Sequence, residues 1–273
     1  MNKPQVAFIG AGNMARSIIG GLLAEGFAPQ QISASGVRQE NLDQLAAATG
    51  IDTATDNQAI ARRADVVVLA VKPQVLKTVA LELRPVLGHR PLIISVAAGI
   101  TTRSLVQWLG EDQAIVRAMP NTPGQVRAGA TGLYASARVT ADQRALADRI
   151  LAAVGVVQWL DDEALLDAVT AVSGSGPAYF FLMMEAMIEA GEALGLSRQC
   201  ATDLTLQTAY GAARLAQESD VDVAELRRRV TSPGGTTQQA IASFEQDQIR
   251  AVFQRAMTAC ATRAKELSEQ LGN

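Results

Sequence analysis

The stretch Val6–Gly26, VAFIGAGNMARSIIGGLLAEG, decides the fold. Four apolar residues, Val6–Ile9, read as a buried strand. Met14–Glu25 has the spacing of an amphipathic helix. Between them lies Gly10-Ala11-Gly12-Asn13-Met14-Ala15, a G-x-G-x-x-A turn in strand–turn–helix context. Gly10 permits the tight turn, and Gly12 lets a pyrophosphate approach the backbone. Ala15 lets the helix pack closely on the strand. The free N–H groups and positive end of the helix then face the phosphates. A plain βα turn is the competing reading, but this one opens a series of similar units.

Working outward, β-rich runs recur at Ile32–Ala34, Val66–Val71, Leu92–Val96 and Ala114–Ala118, then at Ala130–Tyr134 and Val154–Trp159. Helical patterns at Glu40–Ala48, Gln74–Leu83 and Ala141–Ala153 separate several of them. Strands alternating with helices predict a parallel, doubly wound α/β sheet of Rossmann type. The unbroken apolarity of the runs fits strands covered on both faces. After Asp161 the strand signal stops. Helical patterns follow at Glu163–Val172, Pro177–Leu194, Arg198–Glu218, Val223–Val230, Thr237–Glu245 and Gln248–Leu271. The expected boundary is near Leu160, with a dinucleotide-binding domain over 1–160 and an all-α domain over 161–273. The helix PAYFFLMMEAMIEAGEALG from Pro177 is apolar over most of its circumference, which predicts a subunit interface and an intertwined homodimer; a core helix within one chain is the competing reading.

Composition narrows the chemistry. The 273 residues are 48% hydrophobic with a formal charge of −3, and their basic residues are scattered. No basic stripe points to nucleic acid, and no early apolar run is long enough to cross a membrane. With two cysteines and no signal peptide pattern, the expectation is a soluble cytoplasmic protein without a disulfide framework. His89 is the only histidine. With one histidine and two distant cysteines no metal cluster can be assembled from soft ligands, and a Ser-His-Asp triad is not expected. The expectation is therefore an enzyme working without zinc and without a histidine base.

Several residues at the carboxyl ends of the expected strands are cofactor candidates. The second strand ends in ISASGVRQEN, where an NAD enzyme typically has an acid for the ribose. Ser35 and Arg38 stand there instead, a hydroxyl and a guanidinium suited to a 2′-phosphate. They favour NADPH, with NADH as a weaker substitute; a surface role for Arg38 is the competing reading. Ala70, Val71, Lys72 and Pro73 end the next long strand. Lys72 could act as an acid, contact ribose or face solvent. The small residues of Ser95–Gly99, Ala97 among them, could pass close to a flat nicotinamide. Asn121 and Thr122 offer groups to its carboxamide, against a structural loop role.

TSPGGTTQQAI, Thr231–Ile241, raises a separate question. Thr236 and Gln239 have capping-box spacing, and Gly234-Gly235 could simply be a turn. The same helix start could cradle an anion.

Taken together, FIGAGNMA, VKPQ, RAMPNTP, SGSGPAYFF and LRRRVTSPGGTTQQAI resemble the pyrroline-5-carboxylate reductase family, in order and over essentially the whole chain. The resemblance implies an N-terminal Rossmann domain binding NAD(P)H and a helical dimerisation domain, with dimers assembling into a decamer. It implies that 1-pyrroline-5-carboxylate is reduced to L-proline. Ser232, Gly234, Gly235 and Thr236 would cradle the substrate carboxylate. Thr237 would hydrogen-bond the ring nitrogen, and Ser175 and Gly176 would line the same cavity. Asn57 matches a position near the adenosine. The chemistry suits a chain with one histidine. An imine can enter protonated, so the demand for a general acid is smaller than in ketone reduction. Rival readings are another NADP-dependent imine or β-hydroxyacid reductase and a non-enzymatic NADPH-binding regulator. The second-domain lysine expected of a β-hydroxyacid enzyme is missing from Pro177–Glu218.

Overall fold

The structure, a computed structural model, describes residues 4–272. The chain divides into two compact units, 4–175 with 260–272, and Gly176–Ala259.

The first unit is built on eight strands: β1 Val6–Ile9, β2 Ile32–Ser35, β3 Asp52–Ala54, β4 Val66–Leu69, β5 Leu92–Ser95, β6 Ala114–Met119, β7 Gly129–Ala135 and β8 Gly155–Trp159. Their order is β3-β2-β1-β4-β5-β6-β7-β8. The order runs outward in both directions from β1 and β4, so connections leave to opposite sides there. That opens a crevice at the carboxyl ends of these two strands, where Gly10–Gly12 lies. Helices α1 Asn13–Ala24, α2 Gln39–Thr49, α3 Asn57–Ala61, α4 Pro73–Leu83, α5 Thr102–Leu109, α6 Ala141–Ala152 and α7 Leu165–Val169 complete the unit.

Alternate strand residues feed two cores. Val6, Phe8, Val66, Val68 and Ile94 pack with Ile18, Ile19 and Leu22 of α1 and Ile150 and Leu151 of α6. Ala7, Ile9, Val67, Leu69 and Ile93 pack on the other face with Leu76 and Leu83 of α4 and Leu105 and Trp108 of α5. The continuous apolar runs thus serve both faces, as their composition predicts.

Three features differ from the sequence reading. Asp52–Ala54, a polar three-residue edge strand, carries too little hydrophobic pattern to be seen. Strand β7 runs antiparallel to β6. The segment between Met119 and Gly129 is too short for a parallel crossover, which needs a dozen or more residues. The α6 connection restores parallel pairing between β7 and β8. Finally, the chain divides after Ser175 rather than near Leu160. Leu166 is buried, Glu163 binds Arg117 of β6, and Val169 packs against Gly132 of β7. These contacts keep 161–175 with the sheet, and the last turns of the C-terminal helix join them.

The second unit holds α8 Gly176–Ala193, α9 Arg198–Gln217, α10 Val223–Arg229, α11 Thr236–Gln246 and the first half of α12 Ile249–Leu271. Helices α8 and α9 approach closely where Gly191 meets Ala201. Phe180, Phe181 and Leu182 of α8 are exposed, each by more than half.

Adjacent glycines of α1 make the packing testable. A Cβ on Gly21 would stand 2.4 Å from the Ala153 carbonyl oxygen, whereas one on Gly20 meets nothing within 4 Å. Gly20→Ala should stabilise by about 0.5–1 kcal/mol through helix propensity. Gly21→Ala should destabilise by about 1–3 kcal/mol through overpacking. Urea denaturation of both variants checks the opposite signs.

Candidate active site

The turn after β1 has the geometry its glycines require. Gly10 has φ +101°, and a Cβ there would lie 2.8 Å from the Ala70 carbonyl oxygen. Strand pairing forces this approach: Ala70 N–H donates to Ile9 O, and Gly10 N–H donates to Ser35 O. At Gly12 a Cβ would project into open space. Gly12 is also the N-cap of α1, where no side chain caps the helix and no acid sits in the first turn. The amides of Asn13 and Met14 therefore open the helix uncapped, and Ala15 is buried on the sheet. A dinucleotide pyrophosphate fits such an end, which offers donors, a positive dipole and no steric block.

Around that turn the expected residues separate into two groups. Arg38 is exposed at the N-cap of α2, and Lys72 is exposed at the N-cap of α4 with Pro73 behind it. Ala70 and Val71 line the turn beside Gly10, and Ala97 is buried at the end of β5. Ser35 and Asn121 are placed otherwise. Ser35 is wholly buried, and its Oγ donates to Asn57 Oδ1 at 2.7 Å. It therefore holds the start of α3 and does not face a 2′-phosphate. Asn121 is buried with both ends of its amide engaged. Its Nδ2 donates to Ser173 O at 3.0 Å, while Ala130 N–H donates to its Oδ1 at 2.9 Å. That locks the β6–β7 turn to the segment before α8, the structural loop role rather than the carboxamide one. In both cases a polar side chain at a strand end found a backbone or side-chain partner inside the protein.

A charged network missed from sequence lies at the carboxyl end of β6. Arg117 is buried to 7% exposure and donates from Nη1 to Glu163 Oε1 at 2.7 Å. The same carboxylate accepts the Thr102 N–H at 2.7 Å and the Thr102 hydroxyl at 2.6 Å. The signal was available: an arginine inside the buried run AIVRAM demands a carboxylate elsewhere. Asp167 faces the same region. With Arg117, Ala97, Ala98 and Thr170 it borders a cavity of about 60 Å³. Burial pushes its carboxyl above the ordinary aspartate range, against the pull of Arg117 and Lys265, and the Glu163 charge adds to the rise.

In the helical unit, the loop before α11 is not capped in the way the sequence suggested. Gln238 Oε1, not Gln239, reaches back and accepts the Gly234 N–H at 2.6 Å. Gly235 is the N-cap, and no side chain caps the helix. Gly234 has φ +72°, a left-handed conformation suited to glycine. A Cβ on Gly235 would stand 2.6 Å from Ser232 Oγ, so that hydroxyl lies folded over the helix start. Thr236 and Thr237 follow as the first helical residues. Ser175 ends a π-helical turn in the first unit, its N–H donating to Thr170 O at 2.8 Å; Gly176 starts α8.

Comparison with known proteins bears on both units. Residues 163–267 match the family model described as pyrroline-5-carboxylate reductase dimerisation, and residues 5–99 match that of NADP oxidoreductase, coenzyme F420-dependent. A pyrroline-5-carboxylate reductase of Pseudomonas aeruginosa is 55% identical over 272 residues, covering 100% of each chain. A solved pyrroline-5-carboxylate reductase of Coxiella burnetii superposes with a TM-score of 0.94 at 50% identity, covering 98% of this chain and 99% of that one. The Plasmodium falciparum pyrroline carboxylate reductase, solved with NADP bound, gives 0.87 at 29% identity, covering 98% and 99%.

The raised carboxyl of Asp167 has a stability consequence. Because its affinity for a proton is higher folded than unfolded, its stabilising contribution is present in acid and lost as pH rises through the folded value. Asp167→Asn should therefore raise Tm at pH 7, and the gain should vanish as pH falls below the ordinary aspartate range. Melting curves across that window check the sign.

Proposed function

The chain belongs to the pyrroline-5-carboxylate reductase family, and from that premise we propose that it reduces 1-pyrroline-5-carboxylate to L-proline with NADPH, the last step of proline biosynthesis. When bound, the reduced nicotinamide supplies the hydride. The residues of the chain do the holding. The uncapped start of α1 and the bare Gly12 support a pyrophosphate site with Asn13 and Met14, and Asn57 is assigned to the adenosine. Arg38, exposed, supports a preference for the 2′-phosphate of NADPH over NADH; Lys72 and Pro73 border the same crevice. Ala70, Val71 and Ala97 give it thin walls.

The observation that carries the substrate half is the start of α11. A helix of 11 residues begins without a side-chain cap, behind a left-handed glycine and a serine hydroxyl folded over Gly235. Such an end prefers an anion, and the substrate has one carboxylate. Ser232, Gly234, Gly235 and Thr236 hold it in this proposal, Thr237 hydrogen-bonds the imine nitrogen, and Gly176 of the same unit is assigned to the substrate as well. The imine carbon accepts hydride once the nitrogen is protonated. Orientation is then the main demand, and a fixed carboxylate supplies it.

Assembly follows the dimerisation model that the helical residues match. The exposed aromatic and aliphatic face of α8 supports a homodimer built on that helix, and further association into a decamer is part of the proposal. So is a cytoplasmic setting, which the free thiols of Cys200 and Cys260 suit. Among the described residues no helix is long and apolar enough to cross a membrane.

Two substitutions test the substrate loop. Thr237→Ala removes a hydrogen bond to a charged group, worth roughly 1.5–3 kcal/mol, so kcat/KM should fall about ten- to a hundredfold. NADPH affinity should be unchanged, because the residues proposed for NADPH belong to the first unit. Ser232→Ala should raise KM for the imine with little change in kcat. If the loop only starts a helix, both variants would keep their kinetics and, since neither side chain caps α11, most of their stability. Melting temperature and steady-state rates on the same preparations separate the outcomes.

A further inference from the structure

Arg16 lies in the second turn of α1, half-buried, and its guanidinium is held by two backbone carbonyls. Its Nε donates to Ala11 O at 3.1 Å, and its Nη2 donates to Asn41 O at 2.7 Å. Among the described residues no carboxylate pairs with it. One of these carbonyls belongs to the glycine turn. The other belongs to the first turn of α2, three residues beyond Arg38. The two segments also touch at Gly36, where a Cβ would lie 3.6 Å from Ala11 Cβ.

The segment between β2 and α2 needs such a tie. Val37 is 97% exposed, Arg38 and Gln39 are exposed, and the N-cap of α2 makes no side-chain hydrogen bond. Beyond Gly36, whose N–H donates to Ala54 O, packing grips the segment again only at Leu42, which is buried. A long flexible arginine binds an anion well only when its backbone is already placed, because ordering the segment otherwise opposes binding. Arg16 bridges the proposed pyrophosphate turn and the base of the Arg38 segment with a planar group whose donors diverge. Lysine cannot reproduce that bridge.

We infer that Arg16 is a positioning residue for cofactor discrimination: it fixes the Arg38 segment against the glycine turn, and so sets the preference for a dinucleotide bearing a 2′-phosphate. The inference rests on the proposal that Arg38 meets that phosphate. Arg16 acts through Arg38, so the two residues are coupled.

The test is calorimetric binding of NADPH and NADH to the full chain and to Arg16→Ala, Arg16→Lys, Arg38→Ala and the Arg16→Ala/Arg38→Ala double variant, with melting temperature recorded for each. Arg38→Ala should weaken NADPH about tenfold and NADH less than about twofold. Arg16→Ala and Arg16→Lys should show the same selective loss, and the double variant should be no weaker for NADPH than Arg38→Ala alone. Should Arg16→Ala unfold, Arg16→Lys, which keeps the charge and the stem, carries the test. Equal loss of both cofactors would assign Arg16 to the pyrophosphate and overturn the inference. Additive losses in the double variant, or no loss from Arg16 variants when Arg38→Ala weakens NADPH, would overturn it too and leave the Arg38 reading standing. No loss from Arg38→Ala would remove that reading, and the inference with it.

Discussion

The first unit depends on how closely β1 and β4 run past their paired ends. Their register continues into the turn, so that Ala70 N–H reaches Ile9 O and the Ala70 carbonyl faces Gly10. A side chain at position 10 would collide with that carbonyl, and φ there is positive. With glycine in place the chain reverses at once, and α1 starts directly above the strand. The buried Ala15, Ile18 and Ile19 then fasten the helix to the sheet. The consequence is electrostatic: a helix end without a cap or an acid is pointed at the crevice where the strand order changes direction.

The helical unit repeats the device with other residues. Left-handed Gly234 turns the chain, Gly235 leaves room for the Ser232 hydroxyl, and α11 begins uncapped. In each unit glycine both makes the turn and leaves the helix start without a side-chain cap. In the proposal one such end takes a pyrophosphate and the other a carboxylate, which suits a reaction whose chief requirement is orientation. The two ends also explain how the proposed chemistry can proceed in a chain whose only histidine lies elsewhere; His89 lies 3.0 Å from the Ala64 carbonyl through Nε2.

Much of this was legible in the sequence because periodicity and turn chemistry were strong. The run Val6–Ile9, the glycine turn and the following helix needed no tertiary information. The long helices from Pro177 onward were read within a residue or two at most ends. What sequence could not resolve was partner choice. Ser35 looks like a 2′-phosphate ligand until Asn57, 22 residues on, accepts its hydrogen bond. Asn121 looks like a carboxamide partner until Ala130 and Ser173 take both ends of its amide. The capping-box spacing of Thr236 and Gln239 competes with Gln238, and the glutamine one residue nearer reaches the turn. The boundary moved for a similar reason: Glu163 and Leu166 are helical by pattern, but their partners lie in the sheet unit. Local pattern fixes elements, whereas a polar side chain's role depends on which unpaired group lies nearest in space.

The central claim is that this chain places a hydride on the imine carbon of 1-pyrroline-5-carboxylate. The most direct measurement follows the hydride itself. NADPH deuterated on the transferred face of nicotinamide C4 is mixed with the imine and the enzyme, and the product is read by NMR. The account predicts L-proline carrying one deuterium at C5, formed in step with loss of NADPH absorbance. NADPH that binds but is not consumed, or is consumed without deuterium at C5 of proline, would contradict it.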